Sequence, residues 1–107
     1  MTTFESRNPS RFTSVVTTVE LADAPTFVAA CRNAHDAQPE WASIPAPARG
    51  RVIAQVGRLV EANKDALSRL VTEEIGKVFA EALGEVQEVV DTCDFFLGEG
   101  RRLYGQT

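Results

Sequence analysis

One pair of side chains in this sequence has the types and spacing of a nucleophile and its base. The only histidine, His35, follows Cys31 by four residues. On a helix this spacing places both side chains on one face, as a cysteine-histidine dyad requires. A dyad also needs donors that stabilise an oxyanion and a third group that orients the base, and one solvated helix supplies neither. We therefore interpret Cys31 as a packing residue and His35 as its neighbour.

Other residues that could do chemistry lie later in the chain. Cys93 falls on an apolar helical stripe, which favours a buried packing role over a nucleophilic one. Glu81, Glu85 and Glu88 would ligate a metal only if a second carboxylate helix with histidine faced them, so we interpret them as a solvated face. Gly98-Glu99-Gly100 resembles the opening of a nucleotide-binding loop, but it follows a helix and lacks the third glycine. The residues alone thus predict no catalytic and no cofactor-binding side chain.

Composition and charge limit the classes of protein that remain. The chain has 107 residues, 44% of them hydrophobic and 24% charged, which is typical of one small globular domain. Its net charge is -4 and it has no basic stripe, so we predict no nucleic-acid partner. It shows no signal peptide and no run of about 18 apolar residues, which predicts a cytoplasmic protein without a membrane partner. Cys31 and Cys93 lack metal-ligand spacing and are expected to be reduced thiols.

The elements that must position these residues begin with a predicted β-hairpin. Asn8-Pro9-Ser10 is a turn signal, because proline fixes φ and the flanking side chains bond to nearby backbone. Residues 13–21 are rich in β-branched side chains and predict a strand that pairs with residues 3–7. We therefore divide the chain into a β-hairpin over residues 1–22 and a helical segment over residues 23–107.

The first predicted helix begins after Asp23, whose carboxylate can accept the free amides of a first turn. We expect it to run to about Ala37 and to end at Gln38-Pro39-Glu40-Trp41. Trp41 is expected to anchor this helix on the next one by burial of its ring. Helical spacing predicts one buried stripe on this helix, made of Phe27, Val28, Cys31 and Ala34.

Three more helices are predicted in the second half of the chain. The second covers about residues 46–62, Asn63 interrupts it, and a third runs from Lys64 to Glu74 before a stop at Gly76. We expect these two to pack as a hairpin. The last, from Val78 to about Leu103, is the strongest element because its apolar stripe persists for roughly seven turns. That stripe consists of Phe79, Ala82, Leu83, Val86, Val89, Val90, Cys93, Phe96, Leu97 and Gly100.

Several short motifs, read in order, resemble the N-terminal stretch of the NAD(P)-dependent aldehyde dehydrogenases, and the resemblance covers essentially the whole chain. The motifs are Asn8-Pro9-Ser10, the Asp23-capped helix, Pro39-Glu40-Trp41, Pro45-Ala46-Pro47-Ala48-Arg49-Gly50, Glu74-Ile75-Gly76-Lys77, Glu81-Ala82-Leu83-Gly84-Glu85-Val86 and Arg102-Leu103-Tyr104-Gly105. Residues 84–88 and 91–94 further resemble the branch that oxidises alpha-aminoadipic semialdehyde.

The resemblance implies a fold class that is mainly α with an N-terminal β-hairpin, a truncated N-terminal part of the family's α/β fold. In the family, a cysteine thiolate attacks the aldehyde, hydride passes to NAD or NADP, and a glutamate activates the hydrolytic water. Those residues and the cofactor glycines follow this region, and neither Cys31 nor Cys93 matches the nucleophile's motif. NAD or NADP is thus implied for the full-length family and no cofactor for this chain alone.

The resemblance also implies one metal ligand. Some members bind a monovalent cation through the acidic residue two positions before the glycine of the E-x-G-K motif, which is Glu74 here, together with backbone near the Asn8-Pro9 turn. The alternative is that Glu74 is a solvated carboxylate at a helix end.

Two hypotheses of function follow. In the first, the chain is a truncated or split aldehyde dehydrogenase that is inactive alone. In the second, it is a non-catalytic helical interaction module that docks on a dehydrogenase or another partner. The apolar stripe of the last helix predicts either self-association, which would make the chain an oligomer, or binding to the remainder of an aldehyde dehydrogenase. If neither partner covers the stripe, a partly molten chain is expected.

Overall fold

The computed structural model describes residues 2–102. Its fold is mainly helical with an N-terminal antiparallel β-hairpin, as predicted. The elements are, in order, β1 Thr3–Arg7, β2 Val15–Glu20, α1 Ala24–Ser43, α2 Ala46–Ala62, α3 Lys64–Ile75 and α4 Phe79–Glu99. No helix among these is both long and apolar enough to cross a membrane. The predicted end of the last helix at Leu103 and the rest of residues 103–107 lie outside the described part of the chain.

The β-hairpin forms where the β-branched residues predicted it. β1 and β2 pair antiparallel, with Phe4 opposite Val19 and a register shift between Ser6 and Arg7. The predicted turn is confirmed, since the backbone N–H of Ser10 donates to the side-chain oxygen of Asn8 over 2.8 Å. This local hydrogen bond satisfies a backbone N–H in the turn, where the chain reverses direction and the two strands no longer pair.

Helix α1 begins as predicted but ends later. Asp23 caps it by accepting hydrogen bonds from the Thr26 backbone N–H at 2.9 Å and the Thr26 hydroxyl at 2.6 Å. The expected end near Ala37 is wrong, because the helix continues through Pro39 to Ser43. Proline removes one hydrogen bond, and the turns on either side remain bonded. The extended conformation that precedes a proline appears instead at Ile44, before Pro45, with φ -69° and ψ 129°.

The predicted burial of α1 is also wrong. Within residues 2–102, no other helix or strand packs against α1, and none of its residues is buried. Phe27 is 67% exposed, and Trp41, expected to anchor α1 on α2, is 41% exposed. Helical periodicity identifies an apolar face, but it does not show that a partner for that face is present.

Helices α2 and α3 pack mainly against α4. They make few contacts with each other, so they do not form the closely packed hairpin that was predicted. Small residues face α4 along α2, where Gly50 lies against Leu97 and Gly57 against Cys93. Part of the α4 stripe that was expected to need a partner is therefore covered within the chain, whereas Val89 and Phe96 of that stripe remain about half exposed. The buried apolar side chains are Ala54, Ala82, Val86, Val90 and Cys93, which places the core along α4.

Candidate functional site

The predicted cation site consists of Glu74 and the backbone near the Asn8-Pro9 turn. Glu74 is exposed in the last turn of α3. Two residues later, Gly76 ends the helix in the left-handed region with φ 77°, and a Cβ there would lie 3.1 Å from Pro9 Cγ and 3.2 Å from Ser10 Oγ. The Asn-Pro turn of the hairpin therefore lies against the end of α3. The positive φ favours glycine at position 76, and an added Cβ would also crowd the side chains of Pro9 and Ser10.

The last turns of α3 also carry a side-chain oxygen of the type that hard cations bind. Thr72, one turn before Gly76, has a buried hydroxyl with no hydrogen-bond partner in the described part of the chain. Hard cations take carboxylate, hydroxyl and carbonyl oxygens as ligands. Among residues 2–102, however, no three histidine, cysteine or acidic side chains converge on a common point. A role for Glu74 in cation binding remains a prediction.

Next to this corner, an ion pair joins the segment after α3 to α4. The ammonium group of Lys77 pairs with the carboxylate of Glu85. Lys64 at the start of α3 also reaches α4, where its ammonium donates to the side-chain oxygen of Gln87 over 2.6 Å. These contacts fix α3 on α4 from both ends and give Glu85 a structural role within the predicted acidic ridge. Its neighbours Glu81 and Glu88 are exposed, as a solvated face requires.

The structure places the two cysteines on different helices. Cys31 and His35 share α1, which is exposed over its whole length, whereas Cys93 is buried on α4. The packing role predicted for Cys31 is therefore wrong, because no element among residues 2–102 packs against α1. Both cysteines are free. The sulfur of Cys93 lies 3.7 Å from the position of a Cβ built on Gly57, so the Cys93 side chain packs against α2 at this glycine. This is the packing role that was predicted for Cys93.

Gly98-Glu99-Gly100 does not form the glycine-rich turn of a nucleotide-binding loop. Such a turn lies between a strand and a helix, and these glycines lie at the end of α4. A Cβ on Gly100 would lie 2.6 Å from the carbonyl oxygen of Ala46, so this glycine allows the end of α4 to approach the start of α2. Its role is packing, as expected.

Sequence analysis missed the glycines of α2. Gly50 and Gly57 are seven residues apart, which places both on one side of a helix, and Ala54 lies between them on that side. The signal was present as a row of small residues at helical spacing. The larger apolar residues of the same helix, Val52, Val56 and Leu59, are exposed in the structure.

Comparison with known proteins assigns the chain to a class. The sequence model of the aldehyde dehydrogenase family matches residues 1–107. The chain therefore belongs to the aldehyde dehydrogenase family.

Three individual relatives show how similar the chain is to known members of the family. The chain is similar to aldehyde dehydrogenase family 7 member A1 of Pisum sativum, with 40% identity over 96% of this chain and 20% of the relative. Family 7 member B4 of Arabidopsis thaliana is 39% identical over 92% of this chain and 19% of its own length. The alpha-aminoadipic semialdehyde dehydrogenase of Rattus norvegicus is 45% identical over 63% of this chain and 12% of its own length. The chain thus spans about a fifth or less of these relatives.

Proposed function

We propose that this chain is the non-catalytic N-terminal part of an NAD(P)-dependent aldehyde dehydrogenase, the part that supports the catalytic polypeptide and performs no chemistry itself. Family membership over all 107 residues is the observation that carries this proposal. The substrate class would be an aldehyde oxidised to a carboxylate. The similarity to relatives named alpha-aminoadipic semialdehyde dehydrogenase favours an aldehyde of that branch.

The positions of the two cysteines favour a part that supports the catalytic polypeptide and performs no chemistry. A thioester mechanism needs an accessible thiolate with a base and oxyanion donors beside it. Cys93 is buried, and Cys31 lies on a helix that packs against no other element in residues 2–102. The exposed faces of α1 and the hairpin instead offer surfaces to the remaining four-fifths of a polypeptide such as the pea relative.

A direct assay tests the absence of chemistry. The purified chain, mixed with alpha-aminoadipic semialdehyde and either NAD+ or NADP+, should produce no reduced nicotinamide above a protein-free blank. The variants Cys31→Ser and Cys93→Ser serve as controls and should give the same blank rate. Turnover by the chain that either variant abolishes would overturn the proposal.

A second candidate is the stand-alone interaction module, which self-associates or docks on another protein. It is favoured by an apolar groove of about 370 Å³ between α2 and α3, on which the exposed side chains of Val56, Leu59 and Leu70 lie. Grooves of this kind bind the apolar face of a helix. Sedimentation over a range of concentrations distinguishes the candidates, because a module that self-associates should form dimers that Leu59→Asp disrupts.

A further inference from the structure

We draw no further inference here: the strongest candidate, the shallow surface pocket on α4 lined by Glu88, Asp91, Thr92, Phe95 and Phe96, is an acidic and aromatic cluster on one open helix face, and nothing among residues 2–102 shows what covers it.

Discussion

Gly57 of α2 lies directly against Cys93 of α4, so that a Cβ added to Gly57 would be 2.8 Å from the Cβ of Cys93. Real Cβ atoms essentially never approach so closely. The two helices therefore meet at a distance that only glycine permits at this position. Gly50, seven residues earlier, makes a similar approach to the backbone of Leu97.

Gly57→Ala should destabilise the chain, because the added methyl group must separate α2 from α4. We expect a loss of about 1–3 kcal/mol in the free energy of unfolding, the usual cost of overpacking. Gly84→Ala is the matched control, since Gly84 lies within α4 with nothing within 4 Å of the added methyl group. It should stabilise the chain by about 0.5–1 kcal/mol through helix propensity. Urea unfolding measures both, and equal effects would contradict this account of the contact.

Ser68 provides a second test of close packing, between α3 and α4. It is fully buried, and its hydroxyl donates to the Lys64 carbonyl over 2.7 Å. Ser68→Val should cost about 1–3 kcal/mol, because the larger side chain has no space beside Ala82. Ser68→Ala should change stability by less than about 1 kcal/mol, since the lost hydrogen bond is offset by better helix propensity. Thermal melts of the two variants give the comparison. A valine variant as stable as the alanine variant would show that space is available there.

Two neighbouring valines of α4 should differ in their tolerance of replacement by aspartate. Val90 is buried in the core, whereas Val89 is 47% exposed. Val90→Asp should unfold the chain, because an unpaired buried carboxylate costs several kcal/mol against a total stability of about 5–15 kcal/mol. Val89→Asp should retain the helical circular dichroism spectrum. Loss of structure in both variants would contradict the orientation of α4 described above.

The cap of α1 should respond to pH through Asp23. Hydrogen bonds from the Thr26 hydroxyl and then from the Thr26 backbone N–H lower the pKa of this carboxyl group below its ordinary value. A lowered pKa in the helix means that the stabilisation is present above the ordinary aspartate pKa of roughly 3.9 and is lost as pH falls through the lower folded value. An NMR titration of the Thr26 amide should show this loss. Asp23→Asn, which caps without titrating, should remove the pH dependence. A Thr26 amide shift that responds equally in both proteins would argue against the cap.

Much of the fold could be predicted from local patterns. β-branched runs mark the hairpin, Asp23 marks the start of α1, and Asn63 and Gly76 mark the ends of α2 and α3, because capping and backbone restrictions act over a few residues. The end of α1 was wrong because a proline inside a helix removes one bond without necessarily ending the helix. The partners of each apolar face could not be predicted, since periodicity gives the orientation of a face and no information about what lies opposite.

The tertiary contacts of the candidate site also could not be predicted from local sequence patterns. Glu74 was identified only through resemblance to the family, and the structure adds that Pro9 lies against Gly76, two residues after Glu74. No local pattern relates residue 9 to residue 76, because their contact arises from tertiary packing of the hairpin on α3. The small residues of α2 were visible at helical spacing, but their role depends on how closely α4 approaches.

Reconstitution of activity tests most directly the claim that this chain is a non-catalytic part of an aldehyde dehydrogenase. The chain is co-expressed and purified together with the pea relative lacking the stretch that this chain matches. The pair is supplied with alpha-aminoadipic semialdehyde and NAD+ or NADP+, and the appearance of reduced nicotinamide is followed. We predict turnover by the pair and none by either piece alone. Turnover by the 107-residue chain alone, or a co-purifying pair that produces no reduced nicotinamide with either cofactor, would contradict the account.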